Sequence, residues 1–210
     1  MRKDTNKIIN SIPTECSTTT MLINLGTFEV ISGRLIVSDP CYERGNKYSG
    51  LLKYVRIGKW NAYVSRGNRG NWGLRNAELI ISHVDFDLLN NNNDLEEKTD
   101  DDIDVYSGQV GFFDYSLYPA NKDSQGEYNE SGTFYGKCCV ATLNTPNVAD
   151  IIDNRGVVSS SGISDGGYGL HVIKNKDGEI IKTRIVFIYE DEDKEEYDEL
   201  ADNRIFPNDE

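Results

Sequence analysis

Apolar residues in this chain recur in short runs, alternating or continuous, and only once at helical spacing. Residues 26–30 and 34–37 are rich in β-formers and flank Ile31-Ser32-Gly33, which reads as a hairpin turn. The second run stops at Asp39-Pro40, because proline lacks the amide hydrogen that a central ladder requires. Residues 51–57 and 60–64 read as strands split by Gly58-Lys59, and residues 78–84 as the strongest strand of the first half. Between them, residues 66–73 hold three glycines and two asparagines and read as a loop. In the second half, strands are predicted over 108–114, over 133–143 with an interruption at Gly136, and from 157 into a glycine-rich turn. Residues 170–173 and 180–189 pair across Asn175-Lys176-Asp177-Gly178, where Asp-Gly is a strong hairpin signal. One helix is predicted after Thr145, with Thr145 as N-cap, Pro146 at the first position, and Val148, Ile151 and Ile152 as its apolar stripe.

The pattern also repeats. Ser32-Gly33 precedes Asp39 as Ser107-Gly108 precedes Asp114, with an apolar run between. Residues 58–64 align on 166–172, and residues 78–81 on 184–187. The fold expected is therefore mainly β, an antiparallel sandwich or partly closed barrel made of two related halves with one short helix. A pseudo-two-fold axis would match Asp39 with Asp114, Trp60 with Tyr168 and Tyr63 with His171. The domain plan is a flexible N-terminal segment (1–20), one β domain (21–189) with halves 21–89 and 105–189 joined by an acidic linker (90–104), and an acidic C-terminal tail (190–210).

Composition changes this picture in one respect. The 210 residues carry a net charge of −13, but residues 85–104 and 190–210 hold 20 of the 35 acids and only 3 of the 22 bases. The body that remains has 19 bases against 15 acids and is mildly basic. Cys16, Cys41, Cys138 and Cys139 form no C-x-x-C and no metal-ligand spacing, so a reducing cytoplasm is expected, without disulfides, metal or cofactor. The N-terminal stretch has no signal-peptide core, and no run approaches the ~18 apolar residues of a membrane span.

At Gly108-Gln109-Val110-Gly111-Phe112-Phe113-Asp114, together with Ser161-Gly162-Ile163-Ser164-Asp165-Gly166-Gly167-Tyr168, the chain resembles a family of uncharacterised bacterial and phage proteins. Those proteins share a strand ending in Gly-Phe-Phe-Asp and a later Ser-Gly-x-x-Asp-Gly-x-Tyr turn. The resemblance spans residues 22–188 and implies a shared fold and a bacterial or phage source. It brings no chemistry with it.

Three constellations carry candidate chemistry. Asp39 and Asp114 at strand ends, joined by Asp165, would form an acid–base pair or a divalent-metal site if they converge; each equally suits a turn, where aspartate accepts backbone amides. Cys41 and His171 would make a nucleophile and base only if they meet, and the serine run 159–161 lacks the G-x-S-x-G spacing. His83 reads as a structural histidine. Arg56, Lys59, Arg66, Arg69 and Arg75, interleaved with Trp60, Tyr63 and Trp72, offer guanidinium and stacking contacts to a phosphate-bearing ligand, or else a basic hairpin with core aromatics. The leading expectation is a cytoplasmic, non-enzymatic binding protein that engages a protein partner or an anionic small molecule, with nucleic acid less favoured and no membrane. Toxin immunity or phage counter-defence are natural settings. The alternative is a hydrolase built on Asp39, Asp114 and Asp165.

Overall fold

The computed structural model describes residues 20–86 and 96–189. In chain order the first half provides β1 (Met21–Val30), β2 (Arg34–Ser38), β3 (Gly50–Lys53), β4 (Gly58–Asn68) and β5 (Leu74–His83). The second provides β6 (Glu96–Val105), β7 (Gln109–Asp114), the single-turn α1 (Lys122–Gln125), α2 (Phe134–Asn144), β8 (Ala149–Ile152), β9 (Gly156–Ser160), β10 (Gly166–Lys174) and β11 (Ile180–Val186). Two open antiparallel sheets result, in the orders β1-β4-β5-β11-β10-β6 and β3-β2-β7-β9-β8. The architecture is thus the sandwich, not the barrel. No helix among the described residues is long and apolar enough to cross a membrane.

Strand alternation divides the apolar residues between two layers. Phe28, Leu35, Trp60, Leu79, Phe112 and Ile185 fill the space between the sheets. Phe113, next to Phe112, points the other way and packs with Ile36, Tyr118, Phe134, Cys138 and Val158 under α2. The rings of Phe113, Tyr118 and Phe134 form a mutual triangle with centroids 5.1–5.4 Å apart.

The strand orders of the two halves correspond, β1-β4-β5 to β6-β10-β11 and β3-β2 to β9-β7, and the halves meet in each sheet at an antiparallel seam with its own local two-fold axis. In one sheet Val37 lies opposite Phe112, with Ile36 opposite Phe113 mirrored by Ser38 opposite Gly111. In the other, Leu79 lies opposite Ile185, with Ile80 opposite Arg184 mirrored by Glu78 opposite Val186. All four axial residues are fully buried. Further out, the expected match of Trp60 with Tyr168 is lost to a two-residue slip: in the frame of the central strands Trp60, paired with Phe28, corresponds to Gly166, paired with Val105. The expected match of Tyr63 with His171 is not carried through in register. Val64 lies opposite Leu79, but its counterpart opposite Ile185 is Leu170 and not Val172. A slip of two residues is tolerated because it keeps every side chain on its own face.

The helix is displaced from its expected place. Residues 133–143, expected as a strand, form α2, and residues 149–152, expected as helix, form β8. Thr133 caps α2 by accepting the Gly136 N–H at 3.2 Å, and Phe134, Cys138 and Ala141 recur at helical spacing on its buried face. Gly136 is no strand interruption: a Cβ there would lie 2.0 Å from the Glu130 carbonyl oxygen. Thr145 is extended at the C-terminal end, as expected for a residue before proline. Left-handed φ values at Val148, Asp153 and Asn154 then frame β8 with turns that a helix does not allow.

The proposed acidic linker is also corrected in part: residues 96–104 belong to β6, a paired strand at the sheet edge. Ile103 and Val105 point inward, while Glu97 pairs with Lys174 at 2.9 Å and Glu96 with Arg184 at 2.6 Å. Residues 90–95 of that linker, most of the N-terminal segment and the acidic tail lie outside the described residues.

Candidate functional site

The two strand-end aspartates exchange partners across the axis. Asp114 Oδ2 accepts the backbone N–H of Ile31 at 2.7 Å and of Ser32 at 2.9 Å, and the Ser32 hydroxyl at 2.9 Å. Its Oδ1 accepts the Ser116 N–H at 2.8 Å and the Ser116 hydroxyl. Asp39 Oδ2 accepts the N–H groups of Tyr106 at 2.8 Å and Ser107 at 2.6 Å, while Oδ1 accepts the Ser107 hydroxyl at 2.7 Å and the Cys41 N–H at 2.9 Å. The serine of each Ser-Gly motif therefore secures the aspartate of the other. Both carboxylates are fully buried.

The three aspartates are not brought together. Asp114 lies opposite Leu35, and Asp39 follows Ser38 on the same strand. Four residue steps along a ladder place them roughly 13 Å apart, at opposite ends of the β2–β7 pair. Asp165 sits on an exposed turn, away from Asp114. Among the described residues no group of three or more His, Cys, Asp or Glu is placed to hold a metal ion. Burial raises the Asp114 pKa, but the Ser116 hydroxyl and the amides of Ser32, Ser116 and Ile31 outweigh it and hold the carboxyl below its ordinary value. It is a fixed ionised acceptor, not a proton donor near neutrality.

Cys41 and His171 do not meet in a productive pair. Burial first, then the neighbouring Asp39, push the Cys41 thiol far above its usual range, opposite to what a nucleophile needs. His171 stands on the other sheet beside Arg184 and Glu96, with Nδ1 4.0 Å from the Glu96 carboxylate. Burial, with Arg184, lowers its pKa. His83 is structural: its Nδ1 accepts the Asp85 N–H at 3.2 Å, and its ring stands edge-on to Trp60 at 5.8 Å.

The basic stretch is split, not gathered. Trp60 is fully buried in the core and donates its indole N–H to the Arg56 carbonyl at 2.9 Å, so it offers no stacking face. Arg56 pairs with Asp85 at 3.1 Å and Glu179 at 3.5 Å. Lys59 is exposed at the start of β4, and Arg66 lies seven residues on, roughly 23 Å away along an extended strand. At that far end Arg66 donates to the Pro146 carbonyl at 2.5 Å and Arg75 to the Leu74 carbonyl at 3.2 Å, and Trp72 is exposed on a 3-10 turn. Arg69 is buried there and lines a cavity of about 290 Å³ with Ser65, Glu78, Arg184 and Tyr189.

A feature absent from the sequence reading is the corner at Tyr54, where the chain crosses from β3 in one sheet to β4 in the other. The Tyr54 carbonyl accepts the Ile180 N–H at 2.8 Å, Val55 donates to the Gly33 carbonyl at 3.0 Å and Arg56 to the Ile180 carbonyl at 3.0 Å. These bonds hold Tyr54 at φ 59°, a conformation costly for a bulky residue, with its side chain 80% exposed. A groove of about 700 Å³ runs beside it, lined by Arg34, Lys53, Arg56, Ile57 and Glu179. Arg34 is braced from behind by Tyr115, whose ring centroid lies 3.7 Å from the guanidinium carbon. The unbroken β-rich run over 51–57 hides this corner, because a sheet-to-sheet crossing depends on distant partners.

Comparison with family models, curated proteins and solved structures finds no match to this chain.

Proposed function

We propose that this protein is a binding module without turnover of its own, which engages another protein through the corner groove at Tyr54. The observation that carries this reading is Tyr54, its backbone held at positive φ and its side chain left in solvent beside Ile57, which is 62% exposed. Strain of about 1–3 kcal/mol at such a residue persists only where the surroundings impose it, and it gathers at functional sites. Tyrosine and arginine are enriched among residues that dominate binding energy, and a backbone already fixed loses little entropy on association. Arg34, Lys53 and Arg56 against Glu179 favour an acidic partner surface.

The remaining expectations belong to the same reading. The two halves descend from one duplicated unit, and the protein acts in a bacterial or phage-infected cytoplasm, with toxin immunity or counter-defence as settings. A second reading, capture of a small anion, is favoured by Arg69 and Arg184 on the wall of the 290 Å³ cavity, although Glu78 and Glu96 already pair with Arg184.

The test is site-specific photo-crosslinking in the source cell, with the reactive residue at Tyr54 and, as control, at the also exposed Tyr128. A discrete adduct from position 54 alone, lost on Lys53→Glu, is expected. Matching adducts from both positions, or none from either, would overturn the reading.

A further inference from the structure

The pseudo-axis exposes an inequality between the halves. β3 pairs with β2 as β9 pairs with β7: Ile36 opposite Leu51 corresponds to Gly111 opposite Val158, and Val37 opposite Gly50 to Phe112 opposite Val157. β9 is covered on its other side by β8, antiparallel, with Ala149 opposite Ser159, Asp150 opposite Val158 and Ile151 opposite Val157. β8 arrives on the long connection between β7 and β9 that also carries α2, whereas β2 and β3 are joined by residues 39–49 alone. β3 consequently has β2 as its single ladder partner among the described residues. Among the described residues, the place that β8 fills in one half is open in the other.

We propose that this open edge of β3 accepts an extended segment of a partner protein, added as an antiparallel strand. The proposal rests on the binding-module reading above and names the chemistry of its partner. Transposing β8 puts a residue like Asp150 opposite Leu51, with residues like Ala149 and Ile151 opposite Leu52 and Gly50. Along β3 the side chains of Leu51 and Lys53 are exposed, while Gly50 and Leu52 are half-buried and Leu52 packs on the core. Arg34 lies opposite Lys53 on β2. A carboxylate at the Asp150 position thus falls on the same face as Lys53 and Arg34, and the flanking apolar residues extend the core. Gly50 permits the close layer packing this requires, since a Cβ there would lie 2.8 Å from Ile103 Cδ1.

The basic edge also selects its partner. A short edge strand bearing lysine discourages indiscriminate pairing, and a complementary acid removes that penalty. Main-chain bonds supply affinity while alternate side chains supply specificity. Lys53, the last residue of β3, lines the Tyr54 groove, so one segment laid on the edge runs directly into it.

The probe is a capped, fluorescently labelled peptide of residues 147–154, Asn-Val-Ala-Asp-Ile-Ile-Asp-Asn, titrated into the full chain with amide hydrogen exchange read in parallel. Saturable binding with slowed exchange over residues 50–53 is expected, weakened about tenfold, or 1.4 kcal/mol, by Asp150→Lys in the peptide and by Lys53→Glu in the protein. Unchanged core exchange at Leu79 verifies that the variant is folded. The proposal is overturned by unprotected 50–53 amides at saturation, by equal binding of the lysine peptide, or by protection appearing on β9 in place of β3. Concentration-dependent protection of 50–53 without peptide would make a second copy the occupant and overturn it as well. A Tyr54 crosslink with a silent β3 edge removes the strand proposal alone, and a protected edge without a Tyr54 crosslink removes the groove reading alone.

Discussion

Ser32 and Asp114, 82 positions apart, are joined by two hydrogen bonds to one carboxylate oxygen, the serine N–H and O–H both at 2.9 Å. Ser107 holds Asp39 from the other half with the same two donors, its N–H on Oδ2 and its O–H on Oδ1. Removing either carboxylate strands several partly buried donors at once, each worth up to about 1–3 kcal/mol when left unsatisfied. Asp39→Ala and Asp114→Ala should each destabilise the fold by roughly 3 kcal/mol or more, with Asn milder than Ala at both sites. Urea denaturation of the four variants checks this, and a loss confined to one site would contradict the equivalence of the two contacts.

The same contact sets an acid limit. The folded Asp114 pKa lies below the ordinary 3.8, so the folded state binds that proton less readily than the unfolded chain. Its contribution is complete above 3.8 and is lost as the pH falls through the lower, folded value. The stability gap between the wild type and Asp114→Asn should be constant near neutrality and narrow only in strong acid, as followed by denaturant midpoints across a pH series.

His171 acts at milder pH. Burial, then the charges of Arg184 and Lys98, depress its pKa below 6.5 against the opposing pull of Glu96 and Glu78. The unfolded chain takes up the proton first, so stability falls as the pH drops below 6.5 and levels off once the folded histidine has titrated. His171→Gln should flatten that segment of the stability profile, with His83→Gln as a comparison, because its pKa is depressed by burial too.

Tyr54 separates stability from recognition. Glycine adopts the φ of 59° freely, so Tyr54→Gly should raise stability or leave it unchanged, by about 0–1 kcal/mol after the unfolded-state entropy of glycine is counted. Partner binding should drop at least tenfold in the same variant. Thermal unfolding and a binding titration of one preparation decide the matter, and a large loss of stability would show that the ring is a packing element.

Much of the architecture was legible because burial writes itself along strands as alternation. Phe112 and Phe113, or Leu79 and Ile81, declare their faces directly, and Asp177-Gly178 declares a turn. Helix and strand were exchanged around Thr145 because Phe134, Cys138 and Ala141 lie in a run that scans equally well as extended, while Pro146 invites a helix start that Val148 forbids. β6 was hidden by its charges, since only Ile103 and Val105 turn inward and the edge leaves the acids to solvent. Asp39 and Asp114 stand out in the sequence as strand-end aspartates, but such an aspartate reads the same whether it faces a cleft or a neighbour's amides. Tyr54 carried no signal, because its exposure follows from bonds to Gly33 and Ile180.

The seams of both sheets also bear on how the chain is made. β2 must wait for β7 and β5 for β11, so the first half emerges from the ribosome with these two central strands each paired on one side only, β2 with β3 and β5 with β4. Roughly 100 residues separate the end of β5 from the end of β11, a delay of about 5–20 s at ordinary elongation rates. Throughout it, Leu79 and Val37, destined for the deepest positions of the molecule, lie on open ladders. A synthesis pause in the second half prolongs the interval in which nascent chains can pair with one another, so the yield of folded protein depends on translation speed as well as on final stability.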